Sequence, residues 1–142
     1  MTQTLIDSEK IHAYLATEYR LEQPLGELIL SIGIPCQPLA TLFAAHTVNS
    51  GALITAYNPQ GTQQQLELNE RAQRALIQTI ETLKLPYLHG NSGESTGTWP
   101  TEPSLFILGI PLETAKHIGT VFAQDALLWV TKDCIPQLIL LR

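Results

Sequence analysis

GALITAYNPQGTQQQLELNERAQRALIQTIETLK, residues 51–84, decides how this chain is built. Gly51 to Tyr57 is an apolar run, and Asn58-Pro59-Gln60-Gly61 stops it with a strong turn signal. A central strand and its exit loop are expected there. From about Gln65 to Lys84, Leu68, Ala72, Leu76 and Ile80 recur every fourth position. That spacing stacks side chains on one helix face, and Pro86 ends the helix.

Downstream, Pro86 to His89 reads as a short strand, and Gly90 to Thr98 has the Gly/Ser/Thr composition of a flexible loop. Ser104 to Gly109 reads as a strand, Leu112 to Ala123 as a helix begun by Pro111, and Ala126 to Thr131 as another strand. Gln137 to Leu141 is an apolar run suited to an edge. Upstream, Asp7 or Ser8 caps a helix carrying Ile11, Tyr14, Leu15 and Tyr19. Leu28 to Gly33 then reads as a strand and Leu39 to His46 as a second helix.

From Gly51 the order is strand, helix, strand, strand, helix, strand, the split order of ferredoxin-like sandwiches. The expected fold is therefore α/β (α+β): a ferredoxin-like βαββαβ core extended by a preceding helix, strand and helix. A three-layer α/β arrangement is the alternative, because sequence leaves strand pairing open. At 142 residues, 1–142 is expected to form one domain with a sizeable core.

The hydrophobic fraction is 44% and the charged fraction 15%, a composition that excludes disorder for most of the length. A net charge of -5 repels phosphate, so nucleic acid is not an expected partner. Cys36 and Cys134 lack the paired spacing of a zinc or redox motif, which fits a reduced cytoplasmic protein. No signal peptide is visible, and Leu28 to Ala45 is too broken by Ser31, Pro35, Gln37 and Pro38 to span a membrane. Leu28 to Leu66 contains no Asp, Glu, Lys or Arg. Something is expected to cover it: central strands and an overlaid helix, or a homo-oligomer interface.

Several spaced motifs carry a resemblance: Thr55-Ala-Tyr-Asn-Pro59, Asn69 and Arg71 on the long helix, Trp99-Pro-Thr-Glu102-Pro-Ser104, and Phe122-Ala-Gln124-Asp125-Ala126. The Tyr14 to Tyr19 segment adds to them. With these the chain resembles an uncharacterised bacterial family, domain of unknown function 3293. The resemblance implies Asn where this chain has Asp125, and it brings no established activity.

On physical grounds, Thr55, Asn58 and the amides near Gly61 offer a small polar or anionic ligand a place at the start of the long helix. Asn58 equally suits a turn closed by its own side chain. Asn69 lies beside the helix's apolar stripe, suited to a ligand contact or to tying down a loop. Glu102 is the candidate catalytic acid or base, with Trp99 to shield it or stack on a ligand. Alternatively, Glu102 caps amides or pairs with Arg71, and Trp99 plugs the core edge. Arg71, Ser104 and Gln124 complete the candidate ligand-binding set. The four histidines have no ligand spacing, so no metal or cofactor is expected.

Overall fold

The computed structural model describes residues 4–23, 26–93 and 102–142. Seven strands form one sheet in the order β2-β1-β4-β5-β3-β6-β7, and every neighbouring pair is antiparallel. The strands are β1 (Glu18–Gln23), β2 (Gly26–Leu30), β3 (Gly51–Ile54), β4 (Tyr87–Gly93), β5 (Glu102–Leu108), β6 (Ala126–Val130) and β7 (Gln137–Leu140). Four α-helices accompany them: α1 (Ser8–Ala16), α2 (Pro38–Ala45), α3 (Leu66–Thr82) and α4 (Leu112–Val121). The fold is mixed α/β, as the sequence predicts. From Gly51 the elements follow the expected order. β3 and β4, joined through α3, are separated by β5, while β5 and β6, joined through α4, are separated by β3.

Successive residues of a strand point to opposite faces, so the sheet has two cores. On one face Ala52, Ile54, Leu105, Ile107 and Leu127 pack against Leu76 and Ile80 of α3 and Ala115 and Ile118 of α4. On the other, Leu53, Phe106, Leu108, Leu128 and Val130 pack against Leu39 and Phe43 of α2. The Phe43 and Phe106 rings are stacked with centroids 6.3 Å apart.

Strand register sets what this second face offers. Leu88, Phe106, Leu53, Leu128 and Leu138 stand opposite one another in a continuous apolar row. One pleat further along, Ser104 faces Gly90, and the next pair is Glu102 and Ser92, with Tyr19 opposite Ser92. The face thus turns polar away from α2. A side chain at Gly90 would place its Cβ 2.6 Å from the carbonyl oxygen of Arg20, so that position is closed to anything larger.

Several sequence expectations need correction. The first helix ends at Ala16, and Tyr19 belongs to β1, part of a β1–β2 hairpin in place of one strand. Gly90–Gly93 continues β4 instead of starting a loop, while 94–98 lie outside the described residues. On α3 the buried residues are Asn69, Gln73, Leu76 and Ile80, whereas Leu68 is 44% exposed. The stripe turns polar because the first turns of α3 lie against the exit loop of β3, whose backbone needs partners. Of the uncharged Leu28–Leu66 segment, β3 is fully buried, but β2 is an edge strand and Ala40, Thr41, Ala44 and Ala45 of α2 are exposed. Among the described residues no helix is long and apolar enough to cross a membrane.

Candidate functional site

Beyond β3 the chain makes a tight corner. Asn58 and Gln60 have positive φ (47° and 57°), a conformation Asn tolerates because its short side chain can bond locally. Here those bonds run to α3. Asn58 N–H donates to Asn69 Oδ1 at 2.8 Å, Asn69 Nδ2 donates to Asn58 Oδ1 at 2.8 Å, and Gln64 N–H also donates to Asn58 Oδ1. Gln73 Oε1 accepts from Ala56 N–H at 3.0 Å. Thr55 Oγ1 accepts from Tyr57 N–H and donates to the Pro103 carbonyl at 2.6 Å, tying the loop to β5. Gln124 Nε2 reaches the Tyr57 carbonyl at 3.1 Å.

That bonding corrects the anion-site expectation. Gln60 N–H donates to the Ala123 carbonyl, Gly61 N–H to Asn58, and Thr62 N–H to Pro59. The amides of Asn58 and Gln64 are taken as well, so the corner presents no open nest of donors to an anion.

Across from this corner, Asn58 Nδ2 donates to Glu102 Oε1 at 2.7 Å. Burial pushes the Glu102 carboxyl pKa up, and the Asn58 hydrogen bond only partly offsets it. Glu102 and Ser104 face a cavity of about 260 Å³ between α1 and the polar end of the sheet, floored by Leu53, Leu128 and Leu138. Ser104 is 4% exposed, and its Oγ finds no hydrogen-bond partner among the described residues. A buried hydroxyl without a partner is rare and costly. A second cavity shares Asn58 and Glu102 and opens toward Asn69 and Gln64.

Three tyrosines complete the first cavity: Tyr14 of α1, Tyr19 of β1 and Tyr57 after β3. Burial raises the pKa of all three, Tyr14 to about 12, and the negative charge of Glu102 adds to each. The phenols therefore stay protonated around the carboxylate.

Helix α1 buries none of its own residues fully, yet it forms the cavity's lip through Ala13 and Tyr14. An ion-pair hub centred on buried Asp125 holds it there. Asp125, with no side-chain exposure, accepts from Lys10 Nζ at 2.9 Å and from Arg142 Nη1, and Lys10 also donates to the Gln60 carbonyl. Burial pushes the Asp125 carboxyl pKa up, but the bonds from Arg142 and Lys10 outweigh it and hold it below the usual range. An Asn at this position would supply no charge to balance the two cations.

Of the residues expected from sequence, Thr55, Asn58, Glu102, Ser104 and Gln124 line the first cavity, and Asn69 lines the second with Asn58 and Glu102. Arg71 does not join them: it is exposed on α3 and lines neither cavity, and Asn58 stands where it was expected to pair with Glu102. Trp99 lies outside the described residues. Sequence reasoning missed the tyrosines and the Asp125 hub. Tyr14 and Tyr19 carry part of the family resemblance, but a helical reading of Tyr19 hides that both line the cavity with Glu102 and Ser104.

An antiparallel sheet with helices on both faces and a polar cavity at one end is an architecture open to many activities. Among protein families, the one described as Protein of unknown function (DUF3293) matches residues 54–127, and the chain belongs to it. The match takes in the β3 corner, Asn69, Glu102, Ser104 and Asp125, while Tyr14 and Tyr19 precede it. No curated protein and no solved structure matches the chain.

Proposed function

We propose that residues 1–142 form one domain that binds a small polar molecule in the cavity between α1 and the sheet. The observation that carries this reading is Ser104 Oγ, buried and without a partner among the described residues at the edge of an apolar floor. A ligand atom there would supply the missing bond. Glu102, beside it, is the cavity's carboxyl group and the candidate acid or base if the bound molecule is turned over. The negative net charge argues against a polyanionic partner such as nucleic acid. The two free thiols suit a reducing, cytoplasmic setting.

Thermal-shift screening of a metabolite panel against the native protein, Ser104→Ala and Ala13→Trp tests the reading. Ala13 is exposed on the lip of the cavity, so Trp can plug the entrance without entering the core. Compounds that stabilise the native protein are expected to lose their effect in Ala13→Trp. Stabilisation that survives the plug would place binding elsewhere.

A second reading, a homo-oligomer using Leu28–Leu66, is supported by Ile29 and Ile34, 47% and 60% exposed, and by the uncharged outer side of α2. Sedimentation at micromolar concentration tests it, and a strict monomer would exclude it.

A further inference from the structure

Resting on the binding reading above, we infer that the cavity's ligand is a small organic cation, an amine or quaternary ammonium compound with an apolar body. Glu102 is the charged side chain lining the cavity among the described residues. Its Oε1 is already bonded to a neutral amide, so the charge itself is not neutralised there. Tyr14, Tyr19 and Tyr57 stand around it, and aromatic rings attract cations through their negative faces. The protonated phenols are neutral, and the nearby cations Lys10 and Arg142 are both paired with Asp125.

The rest of the cavity selects among cations. A hard metal ion takes several carboxylate or carbonyl oxygens, whereas this lining offers one carboxylate among phenols and leucines. Leu128 and its neighbours on the floor suit an aliphatic or aromatic body. Ser104 Oγ suits a hydroxyl or a second polar group a short distance from the charge. The net charge of -5 draws a cation toward the protein and repels an anion.

Choline, dimethylbutanol (carbon in place of the ammonium nitrogen) and dimethylbutyrate share a shape and differ in charge. Amide chemical shifts of the full chain are followed by NMR while each is added up to tens of millimolar, where even weak binding registers. Choline is expected to move the amides of residues 55–58, 102–104 and 14–19, with roughly tenfold higher affinity than dimethylbutanol. In Glu102→Gln that preference should fall to near parity, and Tyr57→Leu should weaken choline more than the alcohol. If the alcohol or carboxylate moves these amides as well as choline does, the cation inference fails and the binding reading stands. If none of the three moves them, the cation inference fails, and the binding reading is decided by the metabolite panel and Ala13→Trp.

Discussion

At Glu102 the folded protein holds its proton more tightly than the unfolded chain does, because burial raises the carboxyl pKa. The sign follows from linkage: a raised folded-state value costs nothing below the unfolded pKa, and the cost is complete above the folded one. The surrounding groups do not reverse this. The three phenols remain neutral, and Asp125 is paired with Lys10 and Arg142. Glu102→Gln, which keeps an acceptor for Asn58, is therefore expected to melt higher than the native protein at pH 8. The gap should close as pH falls below the glutamate range, as calorimetry would follow. Ser104→Ala gives a second reading at this scale. Removing an unpartnered buried hydroxyl should leave stability unchanged or raise it by up to about 1 kcal/mol. A clear loss in denaturant titration would mean that Oγ has a partner in the protein.

Helix α3 shows where hydropathy misleads at the level of an element. Its four-residue repeat puts Leu68 in line with Leu76 and Ile80, yet Gln73 and Asn69 take the inward positions above them. Both amides serve backbone or side-chain groups of the β3 corner. Gln73→Leu should cost about 1–3 kcal/mol by stranding the Ala56 N–H, while Leu68→Ala, at an exposed site, should stay within about 0.5 kcal/mol. Urea unfolding of the two variants checks the reversal. The length and position of α3 were legible because periodicity survives a one-residue rotation of the stripe. Which residues face inward was not, since that depends on a loop brought back against the helix. The β1–β2 hairpin was hidden similarly: Tyr19 continues a helical spacing from Leu15, and pairing with β2 and β4 draws it into the sheet.

Across the whole molecule, Asp125 ties α1 and Arg142 to the start of β6, and so fixes the lip of the cavity. Its folded-state pKa is depressed, so its contribution is present above the unfolded pKa and is lost only as pH falls through the lower folded value. Asp125→Asn should cost about 1.5–3 kcal/mol at neutral pH by weakening two charge-assisted bonds. Lys10→Met should cost less, because Arg142 remains. The difference between native protein and Asp125→Asn should vanish in acid below the ordinary aspartate range, a trend visible in melting curves. The mixed α/β class and most of the polar cavity residues were legible in sequence, because turn signals and motif residues fall at strand ends. The lip was not, since Lys10, Asp125 and Arg142 are far apart in the chain and meet only after folding. Whether the cavity that Ser104 and Glu102 face is prepared for a ligand is decided by a high-resolution crystal structure. Ordered water or bound ligand is expected within hydrogen-bonding distance of Ser104 Oγ, with α1 standing over it. A Ser104 hydroxyl bonded to the protein, with α1 collapsed onto Leu53 and Leu128, would contradict it.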